Sequence, residues 1–422
     1  MFYGWTLLAT LSFIYFIAIG TNFYGFSVII PLMVEDLGWT RTEVGAGQSV
    51  IISTIGFCGP IVALVIKRVG CRWTMLAGGF ICGSGSLLVY GTQTLLQFYM
   101  GLGIMGMGMS MLAVVTGIQL ITQWFLHKRS LAMGIFMASA GLGAFVAAPA
   151  FAWLSEYAGS WRLIWLINAA AAIFSALLAV LIVKDSPKDV GSFPDGLDPQ
   201  QASHSTTTAS QKTSAVYKTS ENWYVREAIR TRAFLIITLS TSVGVIGSTI
   251  VNSHSLLHMR DMGISLIVAA GALGITGLLG AVGRFSSGFF GDRIDPARIM
   301  AFGLLLIFSS FLLLPYTDSA IRAYTFAVLF GLGYGVTSVA SPSLVVNYFG
   351  MSNFASIFAI RGTIITVGGA LGPLLAGWSY QTNQSYDTVL FGYAALVLVT
   401  IVIVISMKPP QRSQAATQRS AS

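Results

Sequence analysis

Long apolar stretches recur along the whole chain, and they limit its fold more than any other feature. Each is about 17 to 28 residues long, the length that a helix needs to cross a hydrocarbon core of about 30 Å. Short alternating strands of the barrel type do not occur in the sequence. The chain is 55% hydrophobic and 9% charged, whereas a soluble domain carries roughly a quarter charged residues. We therefore predict an all-α integral membrane protein.

The apolar stretches predict twelve transmembrane helices in two sets of six. The first set lies near 5–34, 43–66, 73–92, 95–123, 130–154 and 162–183. The second set lies near 232–257, 264–290, 298–316, 321–347, 354–380 and 388–407. The first helix starts close to Met1 and is far too long for the core of a signal peptide, so we expect no cleavage.

One long polar segment separates the two sets. Residues 184–231 are rich in Pro, Gly, Ser and Thr, which is typical of a flexible linker, and a short amphipathic piece precedes the seventh helix. A tether is the simpler interpretation of this segment, and a regulatory segment is the alternative. The predicted units are thus an N-terminal bundle (1–183), this linker, a C-terminal bundle (232–407) and a tail (408–422).

Basic residues are distributed unevenly between the two ends of the helices. If the N-terminus is cytoplasmic, 17 Lys and Arg residues fall on the cytoplasmic side, and only Arg41, Arg162, Arg260 and Arg322 fall on the other. By the positive-inside rule, both termini are predicted to be cytoplasmic, in a plasma (inner) membrane. The net charge of +8 follows from this bias. It does not indicate nucleic-acid binding, which would concentrate basic residues on one soluble face.

The turn after the second helix of each half has a similar basic character. "ALVIKRVGCRW" follows helix two, and "GFFGDRIDPAR" follows helix eight. Two halves with such a repeat are typical of carriers that hold a substrate near the membrane midplane, between the halves. We predict that these turns are cytoplasmic gating loops. Their residues are Lys67, Arg68 and Gly70 in the first copy, and Gly288, Asp292 and Arg293 in the second.

The second turn resembles the Gly-x-x-x-Asp-Arg loop of the major facilitator superfamily. The first copy departs from that pattern, because Lys67 stands where an Asp is expected. "YGW" at the start of helix one, "QWFLHKRSLAMG" between helices four and five and "HSLLHMRDMGIS" after helix seven are similar to the monocarboxylate-transporter and oxalate:formate-antiporter branch. The resemblance implies two pseudo-symmetric six-helix halves. The departure at Lys67 puts in doubt the usual salt bridge between helices at the first turn, though not the fold.

Two arginines lie deep within predicted helices, whereas every Asp and Glu falls in a loop, a helix end or the linker. Arg284 precedes the turn at Asp292 by eight residues, and Arg361 follows the turn at Asn353 by eight. At 1.5 Å per residue, both lie roughly 12 Å from the same face. A charge at bilayer depth costs about 2.5–3.5 kcal/mol, and two level cations repel each other unless an anion lies between them. Because arginine binds carboxylate bidentately, we predict a substrate carboxylate at both.

The alternative is that one arginine extends to the cytoplasmic interface or bonds free backbone carbonyls. In the oxalate:formate antiporter family, helices eight and eleven each carry one cation that binds the substrate's carboxylates. The resemblance places Arg284 and Arg361 at those positions. Monocarboxylate transporters pair the helix-eight arginine with an acid about one turn earlier, and this chain has Gly280 there.

Other polar residues are weaker candidates for the lining of a substrate cavity. By the same resemblance, Tyr24 falls where an aromatic hydroxyl lines the cavity, and simple packing is the alternative. The remaining candidates are Tyr334, Asn22, Asn252, His254 and Gln119. Polar side chains of this kind also hold transmembrane helices together. If protons move with the substrate, His254 is the preferred carrier.

No Walker lysine, zinc-ligand cluster or nucleophile–base pair is present in the sequence, so we expect no enzyme, no cofactor, no metal and no use of ATP. Cys58, Cys71 and Cys82 have no metal-ligand spacing and are interpreted as packing residues. Glycine-rich runs such as "GLGIMGMGMS" predict close helix contacts rather than a nucleotide site.

These features favour a secondary carrier of small organic anions that works by alternating access. Two cations and no internal acid favour exchange of one anion for another, because an empty site with two unscreened charges should reorient slowly. A proton-coupled monocarboxylate symporter is the alternative within transport, and a non-transporting receptor or scaffold is the alternative of another class. A cationic-drug exporter is disfavoured because it would need acids within the spans. The expected partners are a small organic anion and the lipid bilayer, and the carrier is expected to be monomeric.

Overall fold

The computed structural model describes the chain in six ranges: 2–125, 128–196, 217–219, 223–290, 294–350 and 353–411. Within these ranges, eleven helices are long and apolar enough to cross a membrane. One of them, Arg41–Tyr90, contains 50 residues and breaks at Gly70, where the backbone leaves helical geometry. The ten undivided helices and the two parts of this one make twelve membrane-crossing segments among the described residues. The prediction of an all-α protein with twelve transmembrane helices is confirmed.

We number the segments α1 to α12. The N-terminal half contains α1 (Tyr3–Leu37), α2 and α3 (residues 41–69 and 71–90), α4 (Leu95–Trp124), α5 (Arg129–Ala158) and α6 (Arg162–Ile182). The C-terminal half contains α7 (Arg232–Asp261), α8 (Leu266–Phe290), α9 (Pro296–Leu313), α10 (Ala320–Phe349), α11 (Phe354–Asn383) and α12 (Asp387–Ile405). The predicted ninth helix reached residue 316, but its last turn, Leu314–Tyr316, is a 3-10 turn. Pro315 has no N–H to continue the α-helical bonds.

Side chains next to the helix ends fix where several helices begin. Thr40 caps α2 by accepting a hydrogen bond from the backbone N–H of Glu43, and the Glu43 carboxylate accepts one from the backbone N–H of Thr40 at 2.7 Å. Asp295 caps α9 by accepting from the N–H of Ala297 at 2.9 Å. These caps satisfy N–H groups that have no partner within the helix. Short loops can therefore connect the helices without leaving those groups unpaired.

The turn between α2 and α3 depends on Gly70, whose φ of 85° lies in the left-handed region. A Cβ at Gly70 would lie 2.5 Å from the carboxylate of Asp185, which follows α6. That carboxylate accepts a hydrogen bond from the backbone N–H of Arg72 at 2.9 Å, and the Arg72 side chain donates to the carbonyl of Val180 at 2.8 Å. Asp185 thus supplies, from the end of α6, the acid that Lys67 does not supply within the turn.

Three helices contain a π-helical turn in their middle part. Those of α1 and α7, the first helices of the two halves, contain Asn22 and Asn252. The Asn22 side chain donates to the carbonyl of Ala18 at 3.1 Å, and the Asn252 side chain donates to that of Ser248 at 2.7 Å. π turns occur frequently at functional sites. The three turns are Gly20–Tyr24, Ser110–Val114 and Val251–Ser255.

The two halves meet along two helix pairs, α2 with α11 and α5 with α8. Small residues permit the close approach of α5 and α8, since a Cβ on Gly141 would lie only 2.3 Å from the carbonyl oxygen of Gly277. We call the face on which α1 begins and α12 ends the linker face. The other end of the bundle is the opposite face.

The described parts of the predicted linker pack on helix ends at the linker face. The indole ring of Trp223 is buried, and its centroid lies 5.6 Å from that of Phe349 at the end of α10. The amide of Asn353 donates to the Trp223 carbonyl at 2.8 Å. The amphipathic piece predicted before helix seven is a single helical turn, Val225–Ala228. The middle of the linker lies outside the described residues, as do Asp292 and Arg293 of the predicted gating loop.

Candidate anion-binding site

Arg284 lies in α8, which ends at Phe290 six residues later. That separation corresponds to roughly 9 Å along the helix axis. The guanidinium carbon lies 5.9 Å from the ring centroid of Tyr334 in α10. Its Nη1 atom is buried and has no hydrogen-bond partner, and no carboxylate within the six described ranges forms an ion pair with it. Arg284 is therefore a cation with free donor capacity inside the bundle.

Tyrosines from both halves lie near Arg284. Tyr24 interacts with the guanidinium through its hydroxyl, and the Arg284 charge also acts on Tyr15, nine residues earlier in α1. The Tyr15 ring stacks on Phe136 of α5, with 4.3 Å between centroids. Two of these neighbours, Tyr24 and Tyr334, were predicted site residues. Tyr15 was not predicted, because a tyrosine in a continuous apolar run gives no signal that separates it from a packing residue.

Arg361 lies in α11, seven residues after the helix begins at Phe354. Its depth is thus roughly 10 Å from the helix start, close to that of Arg284. The side chain is 3% exposed, and its Nε and Nη1 atoms are buried without hydrogen-bond partners. The guanidinium carbon lies 4.9 Å from the ring centroid of Phe358, one turn earlier. No described carboxylate forms an ion pair with Arg361.

The burial of Nε and Nη1 of Arg361 argues against the alternative that this arginine extends to the interface or bonds backbone carbonyls. A guanidinium that is 3% exposed has not reached solvent, and its orphaned Nε and Nη1 atoms make no bond to a carbonyl. Leaving a buried donor unpaired costs about 1–3 kcal/mol, and more when the group is charged. The geometry of Arg361 therefore favours an acceptor supplied from outside the chain.

Asn22 and Asn252 lie in the π turns of α1 and α7, and Asn252 contacts the other half. The hydroxyl of Ser27 in α1 donates to the backbone carbonyl of Asn252 in α7, which links the first helices of the two halves. Both asparagines are 2% exposed, and the side-chain oxygen of each has no hydrogen-bond partner. They thus offer two buried acceptors near the contact between α1 and α7.

The remaining predicted site residues lie elsewhere. His254 is buried between the halves, with ring nitrogens 3.0 Å from the Pro373 carbonyl oxygen and 3.3 Å from the Tyr386 hydroxyl. Gln119 is exposed in α4, five residues before Trp124. No described contact joins either of them to the two arginines. Of the gating-loop candidates in the described ranges, Lys67 and Arg68 are exposed at the end of α2, and Gly288 lies in the last turn of α8.

The groups around Arg284 and Arg361 have one chemical property in common. Both guanidinium groups and the hydroxyls of Tyr15, Tyr24 and Tyr334 can donate hydrogen bonds, and the guanidiniums carry fixed positive charge. Carboxylate oxygens are the acceptors that match such a set, with short charge-assisted bonds. No group of three metal-ligating side chains occurs in the part of the chain that the structure describes. The arrangement is suited to bind an oxyanion.

Comparison with known proteins gives a family. The family model described as "Major Facilitator Superfamily" matches residues 11–358 and 288–422. "Monocarboxylate transporter 4" of Mus musculus is 23% identical over 388 residues, which cover 90% of this chain and 78% of that protein. "Monocarboxylate transporter 2" of Homo sapiens is 22% identical over 410 residues, which cover 95% of this chain and 84% of that protein.

A solved structure shares the fold. It is a bacterial homolog to the human lysosomal transporter Spinster, in an inward-facing and occupied conformation. It superposes with a TM-score of 0.69 at 14% identity, over 96% of this chain and 95% of that chain. The fold, the match to the family model over most of the chain and the relatives confirm the resemblance found in the sequence. The chain is a multi-pass integral membrane protein of the Major Facilitator Superfamily.

Proposed function

We propose that the protein is a secondary carrier of small carboxylates that works by alternating access and exchanges one anion for another. The observation that carries the proposal is the pair of arginines, Arg284 and Arg361, at similar depth and without ion-pair partners among the described residues. The relatives named monocarboxylate transporters support a carboxylate as the substrate. The family fold supports transport rather than binding alone.

In this proposal the substrate carboxylate binds at Arg284. The unpaired Nη1 donates to one carboxylate oxygen, and the hydroxyls of Tyr24 and Tyr334 supply further donors. Hydrogen bonds of this charge-assisted kind contribute about 1.5–3 kcal/mol each. In the same proposal, Arg361 binds a second anionic or polar group of the substrate. A dicarboxylate would satisfy both cations at once.

Exchange is proposed over proton symport because of Gly280. This residue is one turn before Arg284, and a Cβ placed on it would lie 3.8 Å from Nη1 of Arg284. A carboxylate at this position would neutralise Arg284 in the empty carrier and could take up a proton. Glycine leaves the positive charge of Arg284 uncompensated. The empty carrier should therefore change slowly between its two access conformations. Occupied carriers should then reorient faster than empty ones.

We further propose that the linker face is cytoplasmic and that the carrier works as a monomer in the plasma (inner) membrane. The distribution of basic residues supports this orientation, since 17 Lys and Arg residues fall on that side and four on the other. The short loops at the opposite face carry few basic residues, as expected of segments that are translocated.

Transport by purified protein in lipid vesicles tests the proposal. Uptake of labelled mono- and dicarboxylates is measured into vesicles that are empty or preloaded with unlabelled anion. Exchange predicts uptake that is at least about tenfold faster into preloaded vesicles. Equal uptake into empty vesicles would contradict exchange. Uptake that rises with an inward proton gradient and collapses with an uncoupler would establish the symporter instead, and binding without flux would establish a receptor.

A further inference from the structure

Arg41 and Asp261 form an ion pair that joins the two halves at the opposite face. Arg41 is the first residue of α2, and Asp261 is the last residue of α7. The pair is bidentate: Nη1 of Arg41 bonds Oδ2 of Asp261, and Nη2 bonds Oδ1 at 2.7 Å. Parallel bonds of this kind fix the orientation of both side chains as well as their distance. Arg41 and Asp261 therefore hold the ends of α2 and α7 in one defined arrangement.

Aromatic residues of the C-terminal half also hold Arg41. Its guanidinium carbon lies 3.9 Å from the ring centroid of Tyr380 in α11, within the range of a cation–π interaction. Its Nη1 atom lies 3.4 Å from the hydroxyl of Tyr386, which immediately precedes α12. The rings of Tyr380 and Tyr386 are themselves in contact, with centroids 4.8 Å apart. One arginine of the N-terminal half is thus bound by α7, α11 and the start of α12.

Below this ion pair, the contact between α2 and α11 continues turn by turn. The hydroxyl of Thr42 donates to the Gln381 side chain at 3.3 Å, and that of Ser49 donates to the Ala370 carbonyl at 2.6 Å. His254 fills the space between these contacts, because a Cβ on Gly45 would lie 2.6 Å from its Nε2 atom. These contacts are neutral and use small side chains. Arg41–Asp261 is the charged pair at their outer end.

Two other ion pairs at the same face serve as internal comparisons. Asp36 and Arg162 are paired at 2.7 Å, but both belong to the N-terminal half. Asp318 and Arg322 are paired at 2.7 Å within the C-terminal half. Neither of these two ion pairs needs to break when one half rotates relative to the other. The Arg41–Asp261 pair crosses between the halves, so separation of α2 from α7 at the opposite face must break it.

We propose that Arg41 and Asp261 form a latch that keeps the opposite face closed in the conformation seen here, and that release of this latch is a step of the transport cycle. The inference rests on the proposed alternating access, because a protein whose halves do not move has no use for a latch. An exposed ion pair changes an equilibrium by up to about fivefold, and the cation–π contact with Tyr380 adds to this.

Distances between spin labels test the latch in the full-length protein. Cys58, Cys71 and Cys82 are replaced by alanine, and labels are attached at Glu156→Cys and Ser265→Cys, exposed positions at the opposite-face ends of α5 and α8. Asp261→Asn is expected to raise the population with the longer distance by about fivefold. Asp36→Asn removes a matched ion pair within one half and should leave the distribution unchanged.

One further variant, with both charges reversed, makes the outcome decisive. Arg41→Asp combined with Asp261→Arg should return the population partly toward the wild type, because the ion pair is restored in reverse while the contact with Tyr380 is not. The latch is contradicted if wild type shows two distances and Asp261→Asn leaves the ratio of their populations unchanged, as Asp36→Asn does. If wild type shows a single distance under every condition, including saturation with carboxylate, alternating access fails and the latch fails with it.

Discussion

Gly280 stands one helical turn before Arg284, and a Cβ on Gly280 would lie within 3.8 Å of the Nη1 atom of that arginine. The nearest other atom is the Gly331 carbonyl oxygen at 3.6 Å, so a Cβ makes only ordinary van der Waals contacts there. The absence of a carboxylate at this one position leaves Arg284 without a partner on its own helix. The residue at position 280 therefore decides whether the positive charge of Arg284 is neutralised within the candidate site.

Replacing Gly280 by Asp should therefore weaken carboxylate binding by roughly 10- to 100-fold, which corresponds to the loss of one charge-assisted hydrogen bond. The new carboxylate would pair with Arg284 and repel the substrate. Affinity is measured by equilibrium binding of a labelled carboxylate to purified protein. Gly280→Asn has nearly the same size and no charge, so it should change affinity less than about threefold. Equal losses in both variants would show that crowding, and not charge, causes the effect.

Arg361→Gln should separate two classes of substrate. If Arg361 binds a second group of the substrate, its loss should weaken dicarboxylate binding by about tenfold or more and leave monocarboxylate binding within about threefold. Arg284→Gln is the comparison and should weaken both classes, since every substrate is expected to place a carboxylate there. A dicarboxylate affinity that is unchanged in Arg361→Gln would remove this residue from the site.

Tyr15→Phe tests the residue that the sequence did not single out. The substitution retains the ring that stacks on Phe136 and removes only the hydroxyl, on which the Arg284 charge acts. We expect KM for exchange to rise about fivefold, the effect of one lost hydrogen bond, with little change in thermal stability. Tyr99→Phe removes a hydroxyl that bonds the Glu43 carbonyl at 2.9 Å, away from the arginines, and should leave KM unchanged. Similar KM values for the two variants would place Tyr15 outside the site.

Asp185→Ala should destabilise the N-terminal half. The carboxylate of Asp185 binds the backbone N–H of Arg72 at the start of α3, and removal of such a cap costs about 1 kcal/mol. The melting temperature in detergent should fall by about 2–4 °C. Asp189→Ala is the matched control, because Asp189 accepts only from the N–H of Ser186 within its own 3-10 turn. A larger loss in Asp189→Ala than in Asp185→Ala would contradict the role given to Asp185.

The number of helices and the depth of the two arginines could be predicted because both follow from position along a single helix. Apolar length identifies a span, and 1.5 Å per residue places Arg284 and Arg361 at one level. Basic residues and Gly70 predict a loop of several residues between α2 and α3. The structure instead breaks the helix at one left-handed residue.

Contacts between residues that are far apart in the sequence could not be predicted. Asp185 replaces the acid missing at Lys67 only because α6 ends beside the turn between α2 and α3. Arg41 and Asp261 are separated by 220 residues, and each alone is simply a charged residue at a helix end. His254 was considered as a proton carrier from its residue type alone, and its burial against Pro373 depends on the packing of α7 on α11.

The π turn Gly20–Tyr24 carries a consequence for how α1 meets Arg284. In a regular α-helix, residues nine apart differ by about 180° around the axis, so Tyr15 and Tyr24 would point in opposite directions. A π turn accommodates one surplus residue, which reduces the separation to about 80°. Deleting a single residue from this turn would therefore rotate Tyr15 to the side of α1 that faces away from Arg284, while Tyr24 stayed in place. One extra amino acid lets a single helix aim two phenols at the same charge.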